Sequence, residues 1–201
     1  MELLIAITIL VVALVATIAL IINSIEAGRA SKNKLIGTNF AREGIEIVRN
    51  IRDSNWLDPD ETTTWRDGLD VGRIVAPILS HQWDTEPTDL VIINGFDDND
   101  AAIWYSPSEG QYLQASAAFP GGSELSSFYR GIYLSLICHD SVGTEHIVAK
   151  ESTDDCTSFP DEGDGPFGEV GVQVITEVRW PTSDSNHKVV IEERLYNWQA
   201  L

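Results

Sequence analysis

The sequence predicts an α+β protein: a long N-terminal helix, apolar in its first half and amphipathic in its second, packed on an antiparallel β-sheet head. Three observations predict it. Residues 3–22 carry no charge, and residues 29–52 repeat apolar side chains at spacings of three and four. The remainder alternates apolar and polar residues in short runs divided by turn residues. Three segments follow: an apolar helix over 1–25, its amphipathic continuation over 26–57, and an acidic head over 58–201.

Thr8 and Thr17 are the only polar residues between Leu3 and Ile22. As a helix this run covers about 30 Å, the thickness of a bilayer's hydrocarbon core. A soluble core helix would carry a polar face, and this one carries none. A removed secretory signal is the alternative. Such signals open with basic residues and close on a small-residue cleavage site. Here Glu2 precedes the run and Asn23-Ser24-Ile25-Glu26 follows it, which favours a retained span. An ionised Glu2 at the edge of that run is costly unless a positive charge meets it. Placement among lipid headgroups is the other reading.

Residues 29–52 hold Arg29, Lys32, Lys34, Arg42, Arg49 and Arg52 against Glu43 and Glu46. Leu35, Ile36, Phe40, Ile45, Val48 and Ile51, with Ala41 and Gly44, describe one face of an amphipathic helix. No proline occurs before Pro59, so one helix can continue to Leu57 and stop at Asp58-Pro59. Gly28 and Gly37 are the weak points, each costing about 1 kcal/mol relative to Ala. With Asn23 and Ser24, whose side chains can bond the backbone in non-helical conformations, they mark where the helix is easiest to loosen.

The segment MELLIAITILVVALVATIALII, with its acid ahead of the apolar run, and the continuation NFAREGIEIVRNIRDSNWL resemble the type IV pilins and the type II secretion pseudopilins. The resemblance covers about the first 57 residues. It implies a subunit of an extracellular filament whose partners are copies of itself in a helical array, with Leu3, Leu4, Ile7, Leu10, Val11, Leu14, Ile18 and Ile21 in the core. It implies that Glu2 pairs with a neighbouring subunit's terminal amine and sets register. A prepilin peptidase, terminal methylation and a pilus assembly machinery come with the family. The chain would wait in the cytoplasmic membrane and then stand on the cell surface, serving adhesion, twitching motility, DNA uptake or secretion. Glu2 lies nearer the given terminus than the family's spacing allows. Either a few residues and a leader precede Met1, or processing differs. The alternative functions are a minor pilin, a pseudopilin, or an anchored surface-binding protein using Trp65, Trp83, Trp104 or Tyr105.

The formal net charge is −18, and residues 53–201 alone carry −20. Bulk electrostatic affinity for nucleic acid is not expected of such a chain. Within the head, Leu90–Ile93, Ala102–Tyr105 and Gln111–Leu113 read as a three-strand meander. Phe128–Cys138 pairs with Glu145–Val148. Val170, Val172, Val174, Val178 and Trp180 share a face and turn back into Val189, Ile191 and Leu195. Residues 68–79 fit a short helix loosely, and 56–68, 80–88 and 151–169 read as loops.

No nucleophile elbow, zinc-protease motif or phosphate loop occurs, so no enzyme is predicted. His139 and His146 flank a turn and could meet across a hairpin. Acidic loops containing Asp97 and Asn99, and Asp161 and Asp164, are candidates to hold a structural calcium through flexible oxygens. Solvated turns are the alternative, and no other cofactor is implied. Cys138 and Cys156 either remain free thiols or form the disulfide that the pilin resemblance favours. No secreted disulfide-dense scaffold fits two cysteines.

Overall fold

The computed structural model describes residues 1–58, 64–69, 71–78, 89–96, 99–108, 110–114, 122–140, 143–148, 156, 168–181 and 186–197. Helix α1 runs Glu2–Leu57, ending where Asp58-Pro59 was expected to stop it. The chain divides into two compact units, Met1–Ile36 and Gly37–Leu201. The amphipathic stretch 26–57 is therefore shared between them.

In the second unit, α1 packs on an antiparallel sheet of eight strands. These are β1 (Ile74–Ile78), β2 (Asp89–Ile92), β3 (Ala102–Ser106), β4 (Gln111–Gln114), β5 (Glu124–His139), β6 (Glu145–Ile147), β7 (Gly168–Pro181) and β8 (Asn186–Tyr196). The long strand β5 organises the sheet. One of its edges pairs with β7 from Tyr129↔Arg179 to His139↔Gly168, and β8 lies beyond β7. Its other edge serves three short strands in succession: β3 near Leu125, β1 at Ile132 and Tyr133, and β6 at Ile137–His139.

Two expectations change. The segment 68–79 yields strand β1, because Val75 is needed under the helix and Ala76 on the opposite side, a period-two demand. The three-strand meander does not form. Strand β2 pairs with β1 instead of β3, and only β3–β4 is a hairpin. The β5–β6 and β7–β8 hairpins form as expected; the first is confined to Ile137–His139 against Glu145–Ile147, whereas the second runs from Gly171↔Tyr196 to Pro181↔Asn186.

The core lies between α1 and the sheet. Ile45, Val48 and Ile51 meet Val75, Ile132, Leu134, Val172, Val174 and Leu195. Gly44 lets the helix approach closely, since a Cβ there would stand 2.8 Å from the Thr176 methyl. Gly37 does the same over Trp180. Phe40 continues this face, edge-on to Tyr112 and Phe128. Leu35, assigned to that face from its spacing, is exposed. The other side of β5 is buried too: Phe96 covers Gly131 and carries the Arg179 guanidinium 3.8 Å above its ring.

Candidate functional site

Leu3, Leu4, Ile7, Leu10, Val11, Leu14, Ile18 and Ile21 each leave between 50% and 72% of their surface uncovered. All of residues 1–32 are exposed. The helix is long and apolar enough to cross a membrane, and it could anchor the chain in one. Its two hydroxyls suit an apolar medium. Thr8 Oγ1 donates to the Ile5 carbonyl at 2.8 Å, and Thr17 Oγ1 to that of Leu14 at 2.8 Å. Neither hydroxyl therefore needs water. Glu2 occupies the first helical turn, where a carboxylate also opposes the positive end of the helix dipole.

Within the second unit, α1 is fixed by three arginines. Arg130 of β5 is 2% exposed. Its Nε donates to Gln114 Oε1 at 2.8 Å, and Nη1 donates to the Phe40 carbonyl and to Glu43, both at 3.1 Å. Gln114 in turn donates to the carbonyls of Asp100 and Arg130. Burial pulls the Arg130 guanidinium below its usual range, and the adjacent Glu43 carboxylate opposes that pull. Arg49 joins Glu46 and Glu193, while Arg52 donates to the Tyr196 carbonyl and lies over Trp56. Together they tie the helix to β4, β5 and β8. At the helix end, Asn55 Nδ2 donates to the carbonyls of Trp65 and Asp67. Hydrogen bonds from Thr64 hold the Asp67 carboxyl below the usual range. Burial pushes Glu169 up, against the pull of Arg66.

Arg130 and Gln114 were not among the residues singled out from the sequence. The available signal was one charge inside the apolar alternation Phe128–Cys138. Its position in register with Ile132 and Leu134 already places it on the helix-facing side. Its partner Glu43 lies 87 residues away in sequence, and spacing cannot reveal that.

The cysteines are joined. Cys138 and Cys156 form a disulfide with Cα atoms 5.4 Å apart, packed with Leu136 and Val148. In the chain-entropy view, closing a loop of this size stabilises a domain by about 3 kcal/mol. The histidines do not meet. His146 stands opposite Cys138 and His139 opposite Glu145, so the two side chains leave opposite faces of the hairpin. His146 instead faces the Asp140 carboxylate at 3.5 Å.

Among the described residues no group of three or more His, Cys, Asp or Glu is placed to hold a metal. Of the calcium candidates, Asn99 opens a 3-10 turn over Asn99–Ala101. Asp97, Asp161 and Asp164 lie outside the described residues. The aromatic residues considered for surface binding are dispersed. Trp65 packs against the core, Trp104 and Tyr105 point to opposite faces of β3, and Trp83 lies outside the described residues. No family, curated protein or solved structure matches the chain.

Proposed function

We propose that the chain is a structural subunit of a pilus-like extracellular filament, held together by its apolar N-terminal helix. The observation that carries this reading is the division of labour along α1. From Gly37 to Ile51 the apolar face is already satisfied by the sheet, whereas residues 3–22 carry no charge on any side and are exposed throughout. Such a surface must be taken out of water by lipid, or by the same surface on other copies. A bundle of copies buries it outside the membrane, and Glu2 supplies the charge that fixes their stagger. The satisfied hydroxyls of Thr8 and Thr17 are compatible with both environments.

Glu2→Ala tests the reading in cells that make the protein. The expected result is normal recovery of the chain in the membrane fraction, with surface fibres reduced at least tenfold by electron microscopy of sheared material. Mass spectrometry of those fibres should find this chain as their subunit. Wild-type fibre numbers, or fibres lacking the chain, would leave an anchored surface-binding protein as the better account.

A further inference from the structure

The first unit, Met1–Ile36, carries its Lys and Arg side chains at one end only. Arg29, Lys32 and Lys34 are all exposed, and Glu26 is the only acid between Glu2 and Glu43. The helix rises about 1.5 Å per residue, so the Arg29 backbone lies about 10 Å beyond Ile22, the last residue of the uncharged run. Side chains on a helix lean towards its N-terminus, which here means back towards the apolar run. Arg29 thereby brings its charge down to the headgroup layer, its apolar stem lying along the helix, and Lys32, one turn further on the same side, stands within a Debye length of that layer. Lys34 sits two residues further on, about 160° around the helix from Lys32, so it adds to the charge of the collar but shares no contact with the other two.

Taking residues 3–22 as a membrane span, as in the filament reading, we propose that Arg29 and Lys32, with the charge of Lys34 on the opposite side of the helix, form a basic collar that selects anionic phospholipid headgroups. The guanidinium suits bidentate contact with a phosphate diester, and the two ammonium groups add charge without geometric demand. Zwitterionic lipid offers the same phosphate but cancels it with its own cation, so the collar discriminates between the two. The preference belongs to the leaflet in which the run ends at Ile22.

The test uses the full chain reconstituted in vesicles of phosphatidylcholine containing phosphatidylglycerol. Mild detergent extraction followed by native mass spectrometry reads which lipid stays bound. Phosphatidylglycerol should be retained at least fivefold over its share of the vesicle. Each of Arg29→Gln, Lys32→Gln and Lys34→Gln should reduce that preference by up to about fivefold, as expected for one basic residue near an anionic surface. Arg29→Lys keeps the charge but not the bidentate contact, and should fall between the parent and Arg29→Gln. Retention in proportion to vesicle composition, or a preference that survives the triple substitution, overturns the proposal. Carboxyl-to-lysine cross-linking of the collar to the head of a second copy, with no lipid preference, overturns it in favour of a subunit contact. Release of the chain from vesicles by an alkaline wash is a different failure: it overturns the span itself, and the lipid site with it.

Discussion

Burying a guanidinium removes it from water, and the fold tolerates this only when its N–H groups find acceptors. Arg130 finds Gln114, the Phe40 carbonyl and Glu43, and so links strand and helix through one side chain. Arg130→Ala leaves Gln114 Oε1 without its donor and opens a cavity between the layers. The expected cost is about 2–4 kcal/mol. Arg130→Met fills the space and removes the buried charge, and should cost about 1–2 kcal/mol less than the alanine variant. Urea unfolding of the full chain in detergent, followed by tryptophan fluorescence, measures both. An alanine variant as stable as the parent would show that the cluster is incidental. That Arg130 faces the helix was legible from alternation along its strand. That it is satisfied there was not, because satisfaction depends on Glu43 and Gln114, which only the tertiary fold brings near.

Helix α1 was the most legible element, because twenty uncharged residues and a sustained three-and-four spacing leave few alternatives. Its glycines were less so. Gly28 and Gly37 look alike in the sequence, yet a Cβ at Gly28 would meet nothing within 4 Å, whereas at Gly37 it would stand 2.8 Å from the Trp180 ring. Trp180 is buried and stacks on His187, so it cannot simply swing aside. Gly28→Ala is therefore expected to stabilise its turn by about 1 kcal/mol. Gly37→Ala should destabilise the second unit by about 1–3 kcal/mol through overpacking. Hydrogen exchange across residues 24–32 reads the first, and denaturant unfolding reads the second. Equal effects at both sites would mean that helix propensity alone governs them. Strand pairing was legible where neighbours in sequence pair, as in β5–β6 and β7–β8. It failed at β2, since Asn94-Gly95 reads as a local turn while β1, hidden in an ambiguous segment, takes the strand instead.

At the scale of the whole molecule, charge separates sharply: the first 52 residues carry +2 and the remainder −20. The disulfide lies far from that boundary in sequence, at the end of β5, and fastens Cys156 to the head's interior. The arrangement of β5 has a consequence for the order of synthesis. The apolar face of α1 between Gly37 and Ile51 leaves the ribosome early, but the valines of β7 that cover it leave late. Strands β1 to β4 arrive before β5 and wait for the edge on which β1 and β3 pair. If residues 3–22 span a membrane, the N-terminal segment enters it long before the head can close, and the newborn chain would be tethered while still open. A chain ending at Phe167 should stay in the membrane fraction yet lose the protease-resistant head of the full chain. A resistant fragment of β1 to β6 would show instead that the head closes in two stages. Release before the last hairpin is made would expose the sticky face of α1 to other chains, so a membrane tether would double as protection during birth.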